Sequence, residues 1–478
     1  MLFRMLYDDK LAQASYVIGC QATGEAVVID PERDVDRYIN FVKNEGMKIV
    51  AITETHIHAD FLSGARELAE RTGAKLYLSD EGDDDWKYRW LDKKSGGGTY
   101  NHQLVYDGDT FNIGNIELKV LHTPGHTPEH ISFLVTDQGG GANAPMGIAT
   151  GDFVFVGDVG RPDLLESAAG VAGAKEKSAK VMYQSLQGFK DLPDYLQLWP
   201  GHGSGSACGK ALGAVPQSTV GYEKRFNASI AAANSESGFV KSILHGQPEP
   251  PLYFARMKRD NRDGPPLLGR LPNPEKTTVS AMLDAAKNGA ALLDTREWSA
   301  YAEAHLPGAL FTPLNNSFNT IAGSYVPENT AIYLIVEDTR VREAVIDLIR
   351  IGLDKVVGFA TPADLQHYAT AGGKMIQMIS RDMLDLKKMS PNGNTLILDV
   401  RRADEFEEGH LKGAQNIAHT RLLARMNEIP KNKQLWIHCR TDNRSAFAAG
   451  MLEAHGYDVV HLKGGYMAWS AAGGEIEK

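Results

Sequence analysis

Only three cysteines, Cys20, Cys208 and Cys439, occur in 478 residues. So few, so widely spaced, exclude a disulfide framework and point to a reducing compartment in which a thiol stays free to react. No apolar stretch reaches membrane-spanning length. The opening MLFRMLYDDKLAQASYVIG lacks the basic region, apolar core and small-residue cleavage site of a secretory signal. The expected location is cytoplasmic, with no membrane partner. Positive charge is short as well: 50 Lys and Arg stand against 60 Asp and Glu, a net charge of -10, so no nucleic acid partner is expected. What is present is the composition of a soluble globular chain, 43% hydrophobic and 23% charged, long enough for roughly two to four domains. Histidine is plentiful at 15 residues, several in short clusters.

The N-terminal part alternates strand and helix. EAVVIDP is an apolar run ending in a turn, DVDRYINFVKNEG has helical spacing and a Gly stop, and KIVAITETH is a buried strand leading into ETHIHADFLSG. Several short strands follow. The Pro-rich, charged stretch HGQPEPPLYFARMKRDNRDGPPLLGRLPNPE has little periodicity and reads as a boundary. It separates a domain over 1–250 from a C-terminal half, with a linker over 251–274. That half is an internal repeat: LLDTREWSAYAEAHLPGAL from Leu292 recurs as ILDVRRADEFEEGHLKGAQ from Ile397. Asp294 pairs with Asp399, Arg296 with Arg401, His305 with His410 and Gly308 with Gly413, at one constant offset. Two α/β units are expected, over 275–378 and 379–478, and the chain as a whole is α/β and multidomain.

Four clusters in the first domain carry metal-ligand residue types, each after an apolar strand. They are THIHAD (His56, His58, Asp60), LHTPGHTPEH (His122, His126, His130), TGD (Asp152) and WPGHG (His202). Ligand types converging from strand ends predict a metal site. Phe61 follows Asp60 and cannot coordinate. Cys208, in GSGSACGK, lies on a loop that could approach the same pocket, either to trap substrate sulfur or as an incidental small loop residue. In the last unit, QLWIH runs straight into Cys439, then RTDNR, then a helix. A cysteine on such a turn faces the N–H groups of a helix N-terminus, and Arg440 and Arg444 add charge. Both favour an anion on sulfur, which is nucleophile geometry. The aligned position in the earlier copy is Val336, in VEDTR, which cannot carry sulfur.

Along 385–478, LDVR…EFEEGHLKGAQNI…IHCRTDNRS…GYDVVHLKGGYMAW resembles the rhodanese (sulfurtransferase) family. The resemblance implies that Cys439 is catalytic and carries sulfane sulfur as a persulfide, with Arg440, Thr441, Asp442, Asn443 and Arg444 around the substrate. Asp442 stands where many single-domain members have Gly, and Asp tolerates left-handed backbone better than most residues. The copy over 275–378 resembles an inactive rhodanese and offers a surface for a homo-oligomer.

The order of the histidine clusters resembles the metallo-β-lactamase fold, an αββα sandwich. Dinuclear hydrolases of that superfamily, such as glyoxalase II, have His-x-His-x-Asp-His, and Phe61 replaces its last His. GDVGRPDL after Asp152 further resembles the persulfide dioxygenase branch. That resemblance implies one Fe(II) per chain held by His56, His126 and Asp152, with open positions for substrate and O2. His58, Asp60 and His202 would lie behind these ligands, and Arg161 would hold a substrate carboxylate or persulfide. The implied reaction oxidises a low-molecular-weight thiol persulfide with O2 to thiol and sulfite, alongside sulfur transfer with thiosulfate as donor or product. Two alternatives stand beside it: a zinc-dependent thioester hydrolase with a sulfurtransferase domain, and a non-enzymatic sulfur-carrier scaffold.

Overall fold

The segment Gln13–Cys20 is buried along its whole length, which demands cover on both of its faces. In the computed structural model, which describes residues 1–167, 173–247, 249–387 and 393–478, a second sheet covers one face and helices the other. The first of two compact units, Met1–Gly269, contains two six-stranded sheets. One sheet follows chain order: β1 (Leu2–Asp8), β2 (Gln13–Cys20), β3 (Glu25–Ile29), β4 (Lys48–Thr53), β5 (Lys75–Ser79) and β6 (His102–Val105). It is antiparallel from β1 to β3 and parallel from β3 to β6. The other is also sequential: β7 (Thr110–Ile113), β8 (Ile116–His122), β9 (Ile131–Asp137), β10 (Gly147–Gly151), β11 (Gln197–Pro200) and β12 (Ser218–Thr219), with only β10 and β11 parallel.

Alternation along the strands builds the layers. Tyr16, Ile18, Val27 and Ile29 pack between the sheets against Leu118, Val120 and Phe133. Their neighbours Val17, Val28 and Ile52 meet Tyr38, Val42 and Leu68 of the helices Asp36–Asn44 and Ala65–Thr72. On the far side Leu134, Ile148 and Leu198 meet Met182, Leu186 and Phe189 of the helix Ala174–Asp191. The result is an αββα sandwich, with each buried aliphatic or aromatic side chain contributing about 1.5–3 kcal/mol.

The division between the two units, after Gly269, falls inside the expected linker, but most of that stretch belongs to the first unit. The segment read as a linker from 251 carries the helix Phe254–Asp263, which belongs to the first unit as far as Gly269. Phe254, Met257 and Asn261 of that helix are buried, so its apolar spacing was masked by the charges and prolines around it.

The second unit, Arg270–Lys478, holds two five-stranded parallel sheets. The first is built from β13 (Glu275–Lys276), β14 (Ala291–Asp294), β15 (Ala309–Phe311), β16 (Ile332–Ile335) and β17 (Val356–Ala360), in the order β13-β17-β16-β14-β15. The second has β18 (Ser380–Asp382), β19 (Thr395–Asp399), β21 (Gln415–Asn416), β22 (Gln434–His438) and β23 (Asp458–Lys463), in the order β18-β23-β22-β19-β21. A small ladder joins β20 (His410–Leu411) to β24 (Ile476–Glu477). The two sheets share one topology, and their matching residues do the same work. Arg296 grips Asp294 as Arg401 grips Asp399, and the His305 and His410 rings stack on Tyr301 and Phe406. No helix among the described residues is long and apolar enough to cross a membrane.

Candidate metal centre and cysteine loop

In the first unit the four clusters leave the C-terminal ends of β4, β8, β10 and β11 and converge. Gly151 ends β10 with φ +49°, where a Cβ would lie 2.5 Å from Thr55 Oγ1 and 2.8 Å from His130 Nε2. Only glycine lets the chain turn there and deliver Asp152 into the site. His56, His126 and Asp152 each offer a ligand atom within 4.8 Å of the other two, and all three are buried. His126 Nε2 is 3.4 Å and His56 Nε2 is 3.9 Å from Asp152 Oδ2.

The other ring nitrogens are occupied: His56 Nδ1 meets Thr55 Oγ1 at 2.9 Å, and His126 Nδ1 donates to the Arg161 carbonyl at 3.0 Å. Such outer partners fix tautomer and ring orientation. Burial pushes the pKa values of His56 and His126 down, which keeps both rings neutral and ready to ligate. Burial opposes ionisation of Asp152, yet His202, His126 and His56 hold its carboxyl well below the ordinary range. His56 Nε2 and both Asp152 oxygens are buried with no hydrogen-bond partner. Two imidazoles and a carboxylate with unpaired lone pairs are a donor set that fits a divalent cation.

His58 does not join this set. Its Nε2 lies 3.2 Å from Asp30 Oδ1; burial acts against the charged ring, but Asp30 outweighs it and lifts the pKa to about 9. Asp60, His202 and Cys208 form a neighbouring buried group whose ligand atoms also lie within 4.8 Å of one another. His202 Nε2 is 3.2 Å from Asp60 and 3.4 Å from Asp152, and its Nδ1 donates to the Ala12 carbonyl. The Cys208 loop therefore does reach the pocket. Burial, then the carboxylates Asp60 and Asp152, push the Cys208 thiol up to about 12, so without a cation it stays protonated. Phe61 is fully buried, its ring 4.4 Å from that of His58.

Arg161 is a correction. It is 1% exposed and its guanidinium is spent on a bidentate pair with Asp163 (2.8 and 2.6 Å) and on the Ala207 carbonyl. It braces the loop that carries the His126 acceptor and is not free to hold a substrate. His130 accepts from the Asp152 N–H at 3.0 Å, and His122 bonds the Pro128 carbonyl.

Three supporting residues escaped the sequence reading. Asp30, with φ +51°, accepts from Thr55 N–H and Oγ1 besides meeting His58; its only signal was the Asp closing VVIDP. Glu129 accepts from Ile57 N–H, and burial lifts its pKa to about 7. Asn261 donates to the carbonyls of His58 and Phe61 and accepts from Ser63 N–H, each at 2.8 Å, so it pins the metal loop from a segment taken for a linker.

In the second unit, β22 delivers Cys439 to a turn before the 12-residue helix Asn443–Ala454. Gly465, φ +55°, packs directly on this turn: a Cβ there would stand 2.5 Å from the carbonyls of Cys439 and Thr441. Tyr466 and Met467 N–H groups donate to the Cys439 and Arg440 carbonyls. The thiol is buried, 3.4 Å from Ser445 Oγ. Arg440, Thr441 and Asn443 are exposed beside it.

Asp442 and Arg444 are otherwise engaged. Asp442 has φ -141°, not a left-handed backbone, and its carboxylate accepts from Gly464 N–H at 2.8 Å. Arg444 makes a bidentate pair with Glu405 at 2.5 and 2.9 Å. Burial opposes the Glu405 charge, but Arg444 wins and holds its carboxyl down at about 2. Both residues thus shape the loop from behind.

Residues 8–202 match the family model of the metallo-beta-lactamase superfamily, and residues 382–472 that of the rhodanese-like domain. The crystal structure of a metallo-beta-lactamase from Staphylococcus aureus subsp. aureus COL is 42% identical, covers 76% of this chain and 99% of its own, and superposes with a TM-score of 0.67. A beta-lactamase hydrolase-like protein of Agrobacterium fabrum is 30% identical over 295 residues, which are 57% of this chain and 62% of that protein. The mitochondrial persulfide dioxygenase ETHE1 of Mus musculus is 26% identical over 205 residues, 42% of this chain and 68% of that protein. The chain spans 61–62% of the length of the beta-lactamase hydrolase-like relatives it matches.

Proposed function

We propose a function for a chain that belongs to the metallo-β-lactamase superfamily and carries a rhodanese-like domain: it oxidises a low-molecular-weight thiol persulfide with O2 and transfers sulfane sulfur through Cys439. The observation that carries this reading is the ligand set. His56, His126 and Asp152 stand together with unpaired atoms, while His58 is drawn off to Asp30. Two histidines and one carboxylate are a ligand set that suits ferrous oxygen chemistry. The likeness to a persulfide dioxygenase over 205 residues supports it.

Fe(II) bound by these three residues would supply a redox centre with open positions for persulfide sulfur and O2. The chain's own residues do the rest. Thr55 and the Arg161 carbonyl orient the two imidazoles, His130 holds the Asp152 backbone, and the Phe61 ring packs against that of His58. In the overall reaction persulfide, O2 and water give thiol, sulfite and two protons. At the second site the Cys439 thiolate attacks the sulfane sulfur of a donor and the donor's S–S bond breaks, its electron pair leaving with thiolate from a persulfide donor or with sulfite from thiosulfate. An acceptor, sulfite among them, then attacks the outer sulfur and Cys439 leaves as thiolate. The shared persulfide and sulfite give the fusion its chemical logic. A reducing, cytoplasmic setting, a homo-oligomer, and a Cys-less rhodanese-like copy over 275–378 belong to the same reading.

A zinc-dependent thioester hydrolase is the second reading. It is favoured by the Asp60–His202–Cys208 group, which sets a further donor cluster beside the first. Metal analysis with O2 uptake separates the two. Bound iron with persulfide-dependent O2 consumption supports the oxidase, whereas bound zinc with thioester hydrolysis and no O2 consumption supports the hydrolase.

A further inference from the structure

We infer that the Cys-less repeat is a working part of the sulfur-transfer site: through Trp298 it seats His461, and His461 sets the Ser445 hydroxyl that faces the Cys439 sulfur. This deepens the proposed function and rests on its assignment of Cys439 as the sulfur carrier.

Ser445 sits on the first turn of the helix after the Cys439 loop and is fully buried. Its hydroxyl has two acceptors in reach, the Asp442 carbonyl at 2.8 Å and Cys439 Sγ at 3.4 Å, and His461 Nε2 lies 3.0 Å away. Ser445 has one proton to donate. If it donates to either acceptor, the bond with His461 must run the other way, from imidazole N–H to hydroxyl oxygen. His461 is fully buried within β23, and burial, partly offset by Asp442, pushes its pKa down to about 4. A neutral ring protonated on Nε2 is then a permanent donor. While the thiol is neutral, Ser445 prefers the carbonyl; when Cys439 bears an anion, its proton turns to the sulfur, where a charge-assisted bond is stronger.

The His461 ring is held by Trp298, with centroids 5.0 Å apart at 70°, an edge-on contact. Trp298 belongs to the Cys-less repeat, on the short helix after β14. The same repeat grips the Cys439 helix elsewhere. His305 Nε2 lies 2.6 Å from Glu453, Phe311 stacks on Phe447 at 5.6 Å, and Gly450 leaves room for the Phe311 and Tyr301 side chains. The copy without a thiol therefore packs against the helix and the histidine that stand behind the thiol of the other copy. Ser445 touches the reacting sulfur and is a catalytic residue in this scheme; His461 and Trp298 are positioning residues.

The test measures, in the full chain, persulfide transfer from Cys439 and the peptide-resolved alkylation rate of Cys439 by iodoacetamide. Ser445→Ala and His461→Leu are each expected to slow both by about tenfold, the worth of a hydrogen bond to a charged group, while Ser445→Thr stays within about threefold of wild type. His461→Gln, whose amide N–H can stand in for Nε2–H, recovers most of the loss. Trp298→Ala costs about threefold and Trp298→Phe restores it, in keeping with one aromatic contact. In a Ser445→Ala background, His461→Leu adds nothing, as required if one acts through the other. O2 uptake at the metal centre is unchanged throughout. Additive losses, or no recovery with Gln and Phe, overturn the inference in favour of plain packing. If wild type transfers no sulfur at all, the proposed function fails at Cys439, and the alkylation rates still decide this inference.

Discussion

Around Asp152 the unpaired groups are acceptors; around Cys439 the groups facing the sulfur are donors. His56 Nε2 and the oxygens of Asp60 and Asp152 are buried without hydrogen-bond partners, with His202 Nε2 3.2 Å from Asp60 and 3.4 Å from Asp152. Leaving that many lone pairs dry is costly unless a cation collects them. The Cys439 turn instead has the Ser445 hydroxyl, the start of a 12-residue helix, and Arg444 neutralised from behind by Glu405. It is shaped to hold an anion and needs no ion to do so. On the proposed reading one chain meets sulfur in two opposite ways, and the two sites should fail independently.

Cys439→Ser breaks the comparison most sharply. Sulfur transfer should fall by at least about a thousandfold, as for loss of a covalent nucleophile, with metal content and O2 uptake unchanged. Asp152→Asn should do the reverse. Bound metal by elemental analysis and O2 uptake should fall more than about a hundredfold, beyond the loss typical of a supporting residue, while Cys439 alkylates at the wild-type rate. Asn261→Ala leaves two carbonyls and one N–H unpaired around the metal loop. It should cost about 1–3 kcal/mol in denaturant unfolding and about tenfold in metal affinity, with sulfur transfer intact.

The smallest effect concerns pH. The Glu405 carboxyl is depressed to about 2 in the folded chain, so the stability it contributes is present above its ordinary value of 4.5 and is lost as pH falls through about 2. Glu405→Gln should flatten the stability-versus-pH curve of the rhodanese-like domain in that window and leave the curve near neutrality parallel to wild type. Acid melts read by circular dichroism check this; an unchanged acid limb would show that the Arg444 pair does not bear on folding.

Much of this was legible in the sequence because its signals are local. Histidines and aspartates at strand ends marked four clusters, among which the resemblance to persulfide dioxygenases singled out His56, His126 and Asp152, and the Asp-x-Arg repeat gave two units whose sheets share one strand order. What stayed hidden depends on partners distant in the chain. Arg161 looked like a substrate residue, but it is buried and its partner Asp163 and the Ala207 carbonyl take three of its five donors. Arg444 looked free until Glu405, from the start of the same repeat, came to lie beside it. Asn261 carried no signal, because a lone amide in KRDNRDG means little without the loop it binds. Asp442 was expected to tolerate a glycine-like backbone; it caps the loop with its carboxylate instead. Motifs reveal which residue types gather, whereas the pairing that decides their charge and freedom is tertiary.

The most direct measurement is O2 consumption by the iron-loaded full chain across a panel of low-molecular-weight thiol persulfides, with sulfite and thiosulfate quantified separately. O2 uptake that depends on persulfide, yields sulfite, vanishes in Asp152→Asn and persists in Cys439→Ser is the expected result. Iron-loaded protein that consumes no O2 with any persulfide, or zinc-loaded protein that hydrolyses thioesters at the same site, would contradict it.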